Sequence, residues 1–88
     1  MEIIFRKSFW KDIKNCDNKR IKESVSDIIT EIESANNLSQ ISNLKKLKGY
    51  KNAYRIKLKD YRIGVDFENN KLEMVSLLHR KEIYRFFP

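Results

Sequence analysis

Disulfide staples are out of reach for this chain, whose 88 residues hold one cysteine, Cys16. Small folds in oxidising compartments depend on such staples, so a reducing cytoplasm is the expected location. Two glycines and one proline leave no flexible linker and no low-complexity run. The length allows one hydrophobic core, hence a single domain over residues 1–88. Glu2, Arg6, Lys7, Lys11, Asp12 and Lys14 break up the start of the chain, so neither a signal peptide nor contact with a membrane is expected. With one His and one Cys no zinc site can be assembled, and no glycine-rich loop is present to cradle a nucleotide. No serine triad can be nominated, and no cofactor or metal is expected.

What is present is an ordinary globular share of apolar residues, 41%, and a net charge of +7. The charge is local. Residues 1–44 hold seven basic and seven acidic residues, and residues 63–88 hold four of each. The whole excess therefore sits between them, in Lys45, Lys46, Lys48, Lys51, Arg55, Lys57, Lys59 and Arg62 against Asp60 alone. A spread excess serves solubility, whereas a confined one suggests a surface for a polyanion, nucleic acid above all. The competing account is a basic face that is merely solvated.

Periodicity gives the elements. Residues 2–5 form a short β-prone run, and Phe9, Trp10, Ile13 and Cys16 then fall at helical spacing. Asp17 or Asn18 can cap a second helix with the apolar stripe Ile21, Val25, Ile28, Ile29 and Ile32. Leu38, Ile41, Leu44 and Leu47 recur every third residue, which suggests a further short helix before Gly49. From Tyr54 the period becomes two, and two half-buried strands meet at Lys59-Asp60. Asn69-Asn70 suits a tight hairpin into a third strand, Lys71 to Leu78. The tail, His79 to Phe87, reads as a strand end or a helical turn. The fold expected is α+β: a small antiparallel sheet with two to three N-terminal helices packed on one face.

Strand pairing turns the basic window into a site. A two-residue turn at Lys59-Asp60 sets Leu58 against Tyr61, Ile56 against Ile63 and Lys57 against Arg62, with every apolar pair on one face. Arg55, Lys57 and Arg62 gather on the other. A matching turn at Asn69-Asn70 sets Arg62 opposite Leu77 and carries His79 onto the cationic face. Like charges directly opposite on a sheet repel, so an anion such as a phosphate is expected there. RNA cleavage needs a base for the ribose 2′-hydroxyl, an acid for the departing 5′-oxygen and cations for the charge growing on phosphate. His79, Tyr84 and Lys57 are the candidates for proton transfer. Each also has a plainer account: His79 as a surface residue at a strand end, Tyr84 packing the tail with Phe86 and Phe87, and Lys57 splaying into water beside the arginines. Tyr50 can stack on bases, while Tyr54, Tyr61 and Trp10 read as core.

The segment Lys45-Lys46-Leu47-Lys48-Gly49, then Ala53-Tyr54-Arg55-Ile56-Lys57-Leu58, Asp60-Tyr61-Arg62-Ile63 and the closing His79-Arg80-Lys81-Glu82-Ile83-Tyr84, resembles the RelE/ParE superfamily of toxins from type II toxin–antitoxin systems. The resemblance spans nearly the whole chain and implies a microbial RNase-like fold. For the RelE branch it implies a metal-independent, ribosome-dependent mRNA endonuclease that blocks translation by 2′-hydroxyl attack on the scissile phosphate. It further implies a cognate antitoxin, with operator DNA bound only through the toxin–antitoxin complex. By position, Arg62, Arg80 and Tyr84 match the family's strand arginine, C-terminal arginine and C-terminal tyrosine, and Arg55 and Lys57 its basic strand positions. Two departures stand out. Leu78 replaces a frequent glycine before the His-Arg pair, and Arg55 replaces a frequent lysine, so residue 55 is a phosphate binder and not a base. The site so drawn has Arg62, His79, Arg80, Tyr84 and Lys57 in catalysis, and Arg55, Lys45, Lys46, Lys48, Lys51 and Lys59 on RNA. The alternatives are a ParE-like inhibitor of DNA gyrase and a non-catalytic module that binds RNA or ribosomes.

Overall fold

The stripe Ile21, Val25, Ile28 and Ile32 is the buried side of a 16-residue helix, Lys19–Ser34. Of the two residues proposed as its cap, Asn18 fills the role, its side-chain oxygen accepting from the Ile21 N–H at 3.1 Å. In the computed structural model, which describes residues 1–88, this helix is α2. It follows β1 (Glu2–Phe5) and α1 (Lys7–Asn15), and precedes a single 3₁₀ turn, Leu38–Gln40. Then come β2 (Leu44–Lys46), β3 (Ala53–Leu58), β4 (Tyr61–Glu68), β5 (Lys71–His79) and a one-turn helix, α3 (Ile83–Phe86).

The strands make one sheet in the order β1-β5-β4-β3-β2. α1 and α2 lie on one face, over a core of Phe9, Ile21, Val25, Ile32, Ile56, Ile63, Val65, Leu72, Met74 and Leu77. The expected α+β architecture is thus observed, with two local differences. β1 pairs with β5 in parallel, so the sheet is mixed. Residues 44–46 form an edge strand where the three-residue spacing suggested helix: Asn43 turns the chain at φ 63°, and Leu44 then pairs with Ile56. The tail takes the helical-turn form as α3 and lies on the face the helices leave open, with Ile83 and Phe87 buried against Ala53.

The β3–β4 hairpin has the expected register, with Leu58 on Tyr61, Ile56 on Ile63 and Lys57 on Arg62. The β4–β5 hairpin starts as expected, Asn69 and Asn70 taking φ of 53° and 60°. It then slips by one residue at a bulge opposite Gly64 and Val65, which pair with Ser76 and Met74 and leave Val75 extra. Beyond the bulge Arg62 faces Leu78, and Tyr61 faces His79. The free edge of β5 past β1 is closed by α1: the Asp12 carboxylate accepts from the Leu77 N–H at 2.9 Å, and the Ser8 hydroxyl donates to the Val75 carbonyl.

A candidate nucleic-acid interface

Alternation puts Arg55 and Lys57 of β3 on the sheet face opposite the helices. Across β3, Lys45 pairs with Arg55, and Lys57 pairs with Arg62. Four cations therefore form one contiguous patch, and no carboxylate lies within salt-bridge distance of any of them. Two of the four are held in place. Arg62 Nη1 donates to the carbonyls of Lys59 and Tyr61, both at 2.8 Å, and Arg55 Nη1 donates to the Asn43 carbonyl at 2.8 Å. In each case one nitrogen is fixed to the backbone and the rest of the planar fork stays available to a phosphate.

The remaining cations divide. Arg80 sits beside the β3–β4 turn, where its backbone N–H donates to the Asp60 carbonyl at 2.7 Å and its Nε stands 3.8 Å from the Asp60 carboxylate. Lys59 belongs to the β3–β4 turn at φ 56°. Lys46 pairs with Tyr54 and so lies on the helix side of the sheet, away from Lys45. Lys48 and Lys51 are exposed in the loop between β2 and β3, beside the exposed ring of Tyr50. Tyr84 is 61% exposed on α3.

His79 is the correction. The bulge turns its side chain to the helix face, where its ring packs edge-on to Tyr61 at 5.5 Å between centroids. It lines a cleft of about 230 Å³ with Asp12, Asn15, Cys16 and Leu77. Its Nδ1 accepts from the Lys81 N–H at 3.2 Å, which places the ring proton of the neutral form on Nε2. The imidazole therefore lies on the face opposite Arg55, Lys57 and Arg62, and not among them as the simple hairpin register suggested. Burial pushes the neighbouring Tyr61 phenol up, with Cys16 adding to the effect, and Tyr61 stays protonated. Trp10 is a second correction, since it is 51% exposed and not core, lying on Phe5 at 5.1 Å. Tyr54 and Tyr61 do pack against the core as expected.

At its far end the same sheet face becomes acidic and carries a cation of its own. Asp66 and Glu73 pair across β4 and β5, and Arg6 bridges them at 3.5 and 2.7 Å. Burial raises the Asp66 carboxyl above the ordinary range despite Arg6. None of these carboxylates lies within salt-bridge distance of Lys45, Arg55, Lys57 or Arg62.

Comparison with known proteins agrees with this fold. The family model for the ParE toxin of type II toxin–antitoxin systems matches residues 3–84. Toxin RelE3 of Methanocaldococcus jannaschii is 38% identical over 89 residues, covering 100% of both chains. The toxin–antitoxin complex RelB-RelE from Methanococcus jannaschii contains a chain with a TM-score of 0.83 at 38% identity, with 97% of this chain and 99% of that one covered. The intact E. coli RelBE complex shares the fold at a TM-score of 0.67 and 18% identity, covering 89% and 94%. The chain belongs to the ParE toxin family of type II toxin–antitoxin systems, within the RelE/ParE superfamily.

Proposed function

We propose that this toxin is a metal-independent endoribonuclease that cuts mRNA on the ribosome in the cytoplasm. The observation that carries the proposal is the patch of Lys45, Arg55, Lys57 and Arg62, contiguous on an open sheet face and unmatched by any carboxylate. In the reaction the ribose 2′-oxygen attacks phosphorus and the bond to the 5′-oxygen breaks. The products are a 2′,3′-cyclic phosphate and a 5′-hydroxyl, the 2′ proton passing to a base and the 5′-oxygen taking one from an acid. Arg62, seated by its own turn, stabilises the charge that grows on the non-bridging oxygens, with Arg55 beside it and Arg80 above the β3–β4 turn. With His79 on the other face, Lys57 and Tyr84 remain as the groups able to move the protons. Lys59, Lys48, Lys51 and Lys46 serve the ribosomal RNA around the cut.

The partners proposed are the ribosome with its mRNA and a cognate antitoxin, as in the RelB-RelE complex of the Methanococcus jannaschii relative, with operator DNA bound only through that complex. The test is cleavage of mRNA on programmed ribosomes by the purified chain. Arg62→Ala should lower the rate by about 10²- to 10³-fold, the usual cost of one transition-state donor. Uncut mRNA, with wild type and Arg62→Ala equally harmless on expression, would overturn the proposal. Accumulated gyrase-cleaved DNA with intact mRNA would replace it with the gyrase reading.

A further inference from the structure

The N-terminal half of the chain is charge-neutral by count, yet its charges are sorted in space. On α1, Lys7, Lys11 and Lys14 recur at i, i+4 and i+7, and Trp10 falls at i+3, so the four share one helix face. All three lysines are exposed and none has a carboxylate within salt-bridge distance. The one acid of the helix, Asp12, turns the other way and holds the Leu77 N–H. The indole is 51% exposed, and its inner side is braced by Phe5 at 5.1 Å and Phe9 at 5.5 Å. A braced, half-open indole among three free cations has the two parts of a single-strand binding surface: phosphate partners and a face on which a base can stack. This face runs along the free edge of β5, where Lys11 lines a cleft with Ser76, Leu78 and Phe86, and none of its residues belongs to the Arg62 patch.

We propose that the outer face of α1, Lys7, Trp10, Lys11 and Lys14, is a second RNA-binding surface that takes an unpaired stretch of RNA, with a base on Trp10 and the backbone on the lysines. The choice of RNA as the polyanion rests on the function proposed above. An acidic protein segment would suit the lysines but gains less from the exposed ring face, which favours a flat, stacking partner.

Trp10 is the chain's one tryptophan and so reports on this surface alone. The experiment titrates the full chain with a 2′-O-methyl RNA oligonucleotide, which cannot be cut, and follows tryptophan fluorescence beside the anisotropy of labelled RNA. Quenching that weakens with salt is expected, and it should survive in Arg55→Ala/Arg62→Ala. In Lys7→Gln/Lys11→Gln/Lys14→Gln quenching should be lost at an unchanged thermal midpoint. The logarithmic salt slope should fall by about 2, at about 0.7 per phosphate contact on a single strand. Quenching lost in the sheet variant but kept in the helix variant overturns the proposal, as does equal quenching by polyglutamate, which would make the partner an acidic protein. Because the probe is not a substrate, a toxin without nuclease activity can still pass this test, and an active nuclease can fail it.

Discussion

One nitrogen of Arg62 is tied to its own turn, and that tie gives the side chain a direction as well as a charge. A lysine at this position would keep the charge but could not hold two carbonyls and still present a second nitrogen in the same plane. Arg62→Lys is therefore expected to retain most of the salt-dependent binding while cutting at a rate between wild type and Arg62→Ala, as single-turnover assays would show. Gly64 is the other decisive residue of this face. A Cβ there would stand 2.6 Å from the Ser76 hydroxyl and 2.7 Å from the Phe87 ring, so the glycine is what lets the tail lie flat on the sheet. Gly64→Ala should cost about 1–3 kcal/mol, the usual range for overpacking. In a Phe87→Ala background the same change should cost less, a coupling that a double-mutant cycle of thermal or urea unfolding would measure. Equal costs in both backgrounds would show that the tail does not need the gap.

At the scale of elements, the bulge in β5 decides which residues share a site. With Val75 extra, Leu77 and His79 point to the helices, and Leu78 lies opposite Arg62. The His79 ring then acts as an acceptor that closes the turn from His79 to Glu82, whose own N–H reaches the His79 carbonyl at 2.8 Å. Arg80 is carried by that turn. An asparagine can accept the Lys81 N–H but cannot shuttle protons, so His79→Asn should keep most of the cleavage rate and His79→Ala should lose more. A catalytic imidazole would make the two variants equally dead. None of this slip is legible in the sequence, because period-two alternation looks the same on either side of an extra residue until the pairing is known. The β3–β4 register was legible, since a two-residue turn at Lys59-Asp60 gives a pairing that puts Tyr61, Ile63 and Val65 on the side of Leu58, Ile56 and Tyr54, and a one-residue slip would not. The edge strand at Leu44 was not. Three residues carry too little pattern, and what makes them a strand is the partner, β3, not their own spacing.

At the scale of the molecule, charge sorting escapes any count along the chain. The basic window from Lys45 to Arg62 was visible as composition, and it did mark the sheet patch. Lys7, Lys11 and Lys14 were hidden because the seven acids of residues 1–44 cancel the seven bases on paper, while Asp12 turns inward to the Leu77 N–H. That inward acid also makes stability respond to pH. Burial raises the Asp12 carboxyl above its ordinary value, against the opposing hydrogen bond from Leu77 and the charge of Lys11. A raised folded-state pKa means that the native state binds the proton more tightly than the unfolded chain. The charged form is then a net penalty to folding, and the penalty disappears as pH falls through the raised value. An asparagine side chain in its place would keep the same shape and the same acceptor for the Leu77 N–H without the charge. Asp12→Asn should therefore have the higher thermal midpoint at neutral pH, and its lead over wild type should shrink towards zero on acidification into the ordinary carboxylate range. If the lead instead stays constant with pH, the Asp12 charge is not the cause, and the helix is held to β5 mainly by the packing of Phe9 and Ile13.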